Sequence, residues 1–304
     1  MIANTRIFGK HFDRDINKIF FDNYIPYETE YDKLVSPQKA PAGNHYTEAE
    51  LSPLGALQEI AEGNAVTFDL PVEGHEKTIY YTQYGLGFQV TKQMLRDDLF
   101  GNFKKMPAKL AKSAAYKRET EFFELYNTAF VTTYHTAWDG LALCSSSHAT
   151  LKSIDTIDNE GTAAALSETS LQAAFEYYDN LKDEAGMPIN MTPWKLVTSV
   201  SNRWLVGRLQ KQQYNIGSGN RDLLTTNAAN GFVNSWEPHL SRHFVDGNRW
   251  FLVAKEHDMR FYWKEEAQME SADDFYTSNA LFKVIMEFAC FSMDYKGVYG
   301  NSGA

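Results

Sequence analysis

Four stretches carry residue types whose spacing could do chemistry. His239-Leu240-Ser241-Arg242-His243 sets two imidazoles four apart, a step that lets both reach one metal ion when it lies on a helix. Pro238 stands beside it and no Glu or Cys ligand set accompanies it, so these read as surface or interface histidines. His75-Glu76 lacks the second histidine a zinc protease needs. Ser145-Ser146-Ser147 next to His148 suggests a nucleophile and base, but neither a nucleophile elbow nor an orienting acid can be identified, which favours a strand-end turn. Asn215-Ile216-Gly217-Ser218-Gly219-Asn220-Arg221 offers glycines for a phosphate, yet it follows a helix and has no Lys-Ser/Thr ending. No catalytic residue, cofactor site or metal site is expected.

One charged feature stands apart from these. Arg96, Lys104, Lys105, Lys109, Lys112, Lys117 and Arg118 face only Asp97 and Asp98 over the same stretch, and Glu119, Glu121 and Glu124 follow. Cations at the start of a helix and anions at its end oppose the helix dipole. A merely solvated face and a surface that meets a polyanion or an acidic neighbour are both compatible with that pattern.

The elements that position these residues follow from periodicity. Residues 1–60 hold short apolar clusters (Ile16, Ile19, Phe20, Phe21) between polar, Pro-bearing stretches that cannot fold on themselves against chain entropy, so the segment either packs along a surface of its own subunit or a neighbour's or forms a partly disordered tail. Val66, Phe68 and Leu70 alternate with Thr67 and Asp69, and a second β-prone run covers 78–90. A long hairpin with the polar tip Glu73, Gly74, His75, Glu76 and Lys77 is therefore expected, and a two-stranded ribbon is marginal in water without a partner. Thr91 can cap a helix carrying Met94, Leu95 and Leu99. Pro107 suits the start of a longer one, in which Leu110, Ala114, Arg118, Phe122, Leu125 and Ala129 recur at steps of three and four.

Farther along, Asp139-Gly140 predicts a turn into a small apolar strand at 141–144, and Ser167 predicts the cap of a helix with Leu171, Ala174, Phe175, Tyr178 and Leu181 inward. Residues 195–200 read as a buried strand leading into a helix with Trp204, Leu205 and Leu209. Residues 215–231 read as a long surface loop. Strand patterns return at 250–254, 259–263 and from Lys283 to Tyr299. The class is α+β with segregated elements and no internal repeat.

Composition agrees with a folded chain: 304 residues, 43% hydrophobic, 22% charged and 14% aromatic, enough for a large core, extensive interfaces or both. A net charge of −10 means that nucleic acid can be met only through a local basic patch. Two distant cysteines, Cys144 and Cys290, argue against a disulfide framework and for a reducing compartment. No run in the N-terminal residues suits a signal peptide or membrane span, and no membrane partner is expected.

The order of parts (N-terminal arm, long hairpin, long helix, α/β segment, β-rich return) resembles the Hong Kong 97-type major capsid protein of tailed phages. Leu86-Gly87-Phe88-Gln89-Val90-Thr91-Lys92-Gln93-Met94-Leu95-Arg96-Asp97-Asp98, Phe122-Phe123-Glu124-Leu125-Tyr126-Asn127 and Asp139-Gly140-Leu141-Ala142-Leu143-Cys144 are similar to segments of its Mu-like major head subunit family. So are Asn248-Arg249-Trp250-Phe251-Leu252-Val253-Ala254 and the ending Phe288 to Gly300. The likeness runs over residues 60–300. The long charged helical pre-sequence that some relatives use as scaffold has no counterpart in the first residues.

The resemblance implies an N-arm over 1–60, an E-loop hairpin over 61–91, a P domain over 92–164 and 250–304 that includes the spine helix, and an A domain over 165–249. It also implies self-assembly into hexamers and pentamers of an icosahedral shell, with scaffolding, portal and decoration proteins as candidate partners. The E-loop tip would contact a neighbouring subunit, and the 215–231 loop would sit toward the capsomer centre. The spine helix would lie on the inner side, where Lys104, Lys105, Lys109 and Lys112 would make non-specific contact with packaged double-stranded DNA. Some relatives weld their shells by a Lys–Asn bond; Lys77 lies in the hairpin, but no partner can be picked out. The implied location is the virion, after assembly in the host cytoplasm. An encapsulin-like compartment of the same fold and a hydrolase with an unfamiliar site remain as alternatives.

Overall fold

The computed structural model describes residues 17–24, 28–91, 93, 105–151, 156–211, 235–274, 276 and 279–304. The expected helix over 92–99 and the loop over 215–231 lie outside the described residues, apart from Gln93. The chain divides into two units. The first holds Met1–Tyr46, Ile79–Phe122 and Arg260–Cys290; the second holds Thr47–Thr78, Phe123–Met259 and Phe291–Ala304.

In the first unit a four-stranded sheet runs in the order β1 (Gln38–Lys39), β11 (Met259–Asp273), β12 (Asn279–Ser292), β4 (Thr82–Thr91). The last two pair antiparallel from Asn279 opposite Thr91 to Phe288 opposite Thr82. The long helix Met106–Asn127 buries Leu110, Ala111, Ala114, Ala115 and Phe122 at the predicted helical spacing. Rings fill this core: Tyr31 stacks on Phe261 at 4.6 Å, and Phe261 on Phe288 at 5.2 Å.

Residues 17–24 and 28–34 are fastened to the same core. Residues 17–24 are helical, and Phe20 and Tyr31 are buried. Arg118 lies 5.1 Å from the Tyr24 ring and 5.0 Å from the Tyr31 ring, and its Nη1 donates to the Tyr24 hydroxyl at 3.0 Å. The neighbouring Glu119 is fully buried; its Oε2 accepts from the backbone N–H of Glu30 and of Tyr31, each at 3.1 Å. Burial pushes this carboxyl up to about 7 against the lowering effect of the Tyr31 N–H and the Arg118 charge.

In the second unit a five-stranded sheet runs β7 (Glu160–Gly161), β13 (Val298–Asn301), β10 (Trp250–Ala254), β8 (Pro193–Ser199), β9 (Glu237–Ser241). The central strand, Trp-Phe-Leu-Val-Ala, is buried throughout, as a strand with neighbours on both edges and cover on both faces should be. The helix Glu168–Asp179 starts at the predicted cap, where the Ser167 hydroxyl accepts from the Ser170 N–H and Ser170 reciprocates. It buries Leu171, Ala174 and Tyr178, and the Tyr178 hydroxyl donates to the Leu252 carbonyl at 2.6 Å. No strand forms at 141–144: Cys144 N–H instead donates to the Ala129 carbonyl, and Asn159 gathers the segment. The Asn159 side-chain amide donates to the carbonyls of Leu143, Tyr295 and Val298 at 2.8, 3.1 and 3.0 Å, and its oxygen accepts from Ser145 N–H at 2.8 Å.

Candidate assembly and nucleic-acid surfaces

The hairpin exists, but its limbs differ from the sequence expectation. They are β2 (His45–Leu51) and β3 (Glu73–Tyr80), paired in a two-stranded ribbon, and residues 52–72 form the projecting connection. Glu73, Gly74, His75, Glu76 and Lys77 are thus in a strand at the ribbon's root rather than at its tip. The difference has a physical cause. His45-Tyr46-Thr47-Glu48-Ala49-Glu50-Leu51 alternates half-buried and exposed positions using polar side chains, so hydrophobic patterning does not reveal it. The ribbon therefore begins inside the segment assigned to the arm, and Leu86–Val90 belong to the first unit's sheet through β4.

The root is held by mixed charges. His75 Nδ1 lies 3.4 Å from Glu50 Oε2 across the ribbon, and Lys77 Nζ reaches the Ala137 carbonyl in a long contact of 3.5 Å. Burial pulls the Lys77 ammonium down to about 8, against the raising effect of Asp139. Burial and then the nearby Glu184 push the Glu50 carboxyl up. Lys296 pairs with Glu184 at 2.6 Å. Gly74 presses so closely on the unit that a Cβ there would fall 2.6 Å from a Leu151 methyl.

Beyond the root the connection is exposed and apolar. Phe68 is 88% exposed and Leu70 77%, with Leu54, Leu57, Ile60 and Val66 also in the open. The hydrophobic alternation at 66–70 seen in the sequence is real, but it lies in this connection.

Lys105, just before the long helix, and Lys109 and Lys112 in its first two turns are exposed, and steps of four and three bring them toward one side. Lys104 lies outside the described residues. Arg118, counted with the basic stretch, is removed from it by burial between Tyr24 and Tyr31.

The other candidate chemistry resolves differently. His239 sits in a strand, not a helix, and both His239 and His243 stack on Phe123, at 6.0 and 5.4 Å. No group of three or more metal-ligating side chains occurs among the described residues. An orienting acid for His148 does exist, contrary to the sequence reading: Asp139 Oδ2 is 2.7 Å from Nδ1. Burial, the largest single influence, would raise the Asp139 carboxyl, but the His148 hydrogen bond and charge together with the backbone N–H groups of Leu141 and Asp139 outweigh it and hold it low. The ring is buried flat against Tyr295 at 3.7 Å, and among the described residues no serine hydroxyl bonds to it. The pair braces the core.

A family of phage capsid proteins matches residues 76–301. The chain belongs to that family. Capsid proteins of this kind are structural, so membership supports a shell subunit over an enzyme. The fold is the Hong Kong 97 type, shared with the mature capsid of bacteriophage PhiM1 (12% identity, 90% of this chain and 87% of that one, TM-score 0.58). It is shared also with the capsid of Ralstonia phage GP4 (11% identity, 92% and 89%, TM-score 0.57). A virus-like particle from Pyrococcus furiosus has it too (10% identity, 95% and 98%, TM-score 0.52). No curated protein matches by sequence. This phage capsid protein forms the shell of a virion by associating with further copies of itself, and no described helix is long and apolar enough to cross a membrane.

Proposed function

We propose that the shell is icosahedral, built of hexamers and pentamers, and that it encloses double-stranded DNA. The carrying observation is the exposed apolar connection 52–72, which one copy leaves in water and a neighbour can cover. In this reading the arm, expected over 1–60, ends where β2 begins, the E-loop ribbon starts there and lies within the segment that ends at 91, 165–249 is the A domain, and the rest is the P domain. Glu73 to Lys77 fix the angle at which the ribbon reaches a neighbour. Scaffolding, portal and decoration proteins are its partners in assembly. Each subunit that joins binds several neighbours at once, so modest contacts sum to a stable wall.

Lys104, Lys105, Lys109 and Lys112 face the packaged DNA and make non-specific, salt-sensitive phosphate contacts. The exposure of the last three toward one side supports this. Changing all four to Gln is expected to impair genome retention far more than shell formation; equal loss of both refutes the DNA role. Electron microscopy of the purified chain with its scaffold tests the shell geometry. The Pyrococcus furiosus particle keeps an encapsulin-like reading in view. Shells filled with a protein cargo instead of DNA would favour that reading.

A further inference from the structure

Arg118, on the long helix, is almost entirely buried, at 6% exposure. Its Nη1 donates to the Tyr24 hydroxyl at 3.0 Å, and the planar group lies against the Tyr24 and Tyr31 rings. Those contacts leave its other edge unused: among the described residues neither Nε nor Nη2 has a hydrogen-bond partner. Glu119 Oε1 comes within 3.5 Å of Nη2 without forming a hydrogen bond, and its Oε2 is taken by the Glu30 and Tyr31 amides. Buried N–H donors are nearly always paired, and leaving one unpaired costs most when the group is charged. An idle edge of this kind calls for an acceptor.

The same side chain forms part of the wall of an open cavity of about 750 Å³, a size that suits a small ligand or a few side chains of another molecule. Tyr24, Tyr31 and Trp263 give the cavity aromatic walls. Lys39 and Lys264 are balanced by Glu265 and Glu266 in the same lining, so Arg118 supplies the charge that is left. The Nε–H and Nη2–H bonds of a guanidinium run parallel, at a spacing that meets the two oxygens of one carboxylate. Contact with two rings fixes that fork in advance, so little freedom is lost when an acceptor arrives. A phosphate would also fit the fork, but it would bring a second negative charge to a single cation that already has Glu119 beside it.

We propose that this cavity binds a carboxylate, held side-on by Nε and Nη2 of Arg118, with an apolar or aromatic body lying against Tyr24, Tyr31 and Trp263. Two sources carry that chemistry: a free small carboxylate, and an aspartate or glutamate side chain of another polypeptide. Tyr24 and Tyr31 belong to the segment before β1, whereas Arg118 belongs to the long helix. A bound carboxylate therefore completes the arginine that joins the two, and occupancy should slow amide exchange of residues 28–35. The inference adds a ligand site to the shell reading and stands or falls apart from it.

The test titrates para-fluorobenzoate, para-fluorobenzyl alcohol, acetylated glutamate α-amide and inorganic phosphate into the full unassembled chain, read by ligand-detected NMR. The benzoate is expected to bind with a Kd of about 1 mM, as a fragment of its size can. The alcohol, with the same ring and no charge, should bind about tenfold more weakly or worse. Arg118→Lys keeps the charge and loses the fork, and should weaken the benzoate about tenfold. Glu266→Gln, at an exposed position, removes a competing charge and should tighten it about twofold. If Arg118→Lys does not fold, the alcohol comparison on the native chain and Glu266→Gln decide the matter. Binding of the glutamate amide as tight as that of the benzoate assigns the site to a partner's acidic side chain, and binding of the benzoate alone assigns it to a free small carboxylate. A benzoate that does not bind, that binds no better than the alcohol, or that ignores Arg118→Lys in a folded chain overturns the proposal, with water filling the fork. Phosphate binding tighter than both carboxylates overturns the choice of carboxylate.

Discussion

Replacing Glu119 by Gln should change how stability depends on pH, and the structure sets the size. Glu119 is fully buried, and it holds the Glu30 and Tyr31 amides. Burial raises its carboxyl from the ordinary 4.5 to about 7. The folded chain therefore binds this proton more tightly than the unfolded chain does. The contribution is fully present below pH 4.5 and is lost as pH rises through 7. Each pKa unit is worth about 1.4 kcal/mol, so the full loss is about 3 kcal/mol. A glutamine still accepts from both amides but has no proton to lose. It also removes the carboxylate that lies 3.5 Å from Arg118 and is charged above about pH 7, which offsets part of the variant's gain there. The difference between variant and native chain is the informative quantity. It should move by up to about 3 kcal/mol in the variant's favour between about pH 4.5 and 7.5. Urea unfolding of the disassembled chain at half-unit pH steps measures it, with amide exchange of residues 28–35 as a local check. Parallel pH curves for the two proteins would refute the reasoning.

His135 is buried against Ser292, and burial lowers its imidazole to about 4; its folded form resists protonation, so stability falls as pH drops from 6.5 toward 4, and His135→Gln should flatten that fall in acid unfolding curves. Lys77, lowered by burial to about 8, should make thermal midpoints climb between about pH 8 and 10, and Lys77→Met should abolish the climb. Asn159→Ala leaves three carbonyls and the Ser145 N–H without their partner and should cost about 3 kcal/mol in urea unfolding; a cost under about 1 kcal/mol would contradict the bonding described.

The long helix, the Ser167 cap and the buried strand before the second helix of that unit were all legible in the sequence, because local periodicity and capping depend on residues a few positions apart. The order of parts was enough to name the capsid fold. The root and tip of the ribbon could not be placed in this way. The His45–Leu51 limb is polar, and its pairing with Glu73–Tyr80 depends on which residues meet across more than twenty positions of chain. The same holds for Asp139 beside His148, and for Arg118 and Glu119, whose charges on a helix look solvent-facing until Tyr24, Glu30 and Tyr31 cover them. Sequence by itself determined the long helix, the Ser167-capped helix, the buried strands and the family. Only tertiary structure decided register and burial, because those are set by partners that are distant along the chain and close only once it has folded.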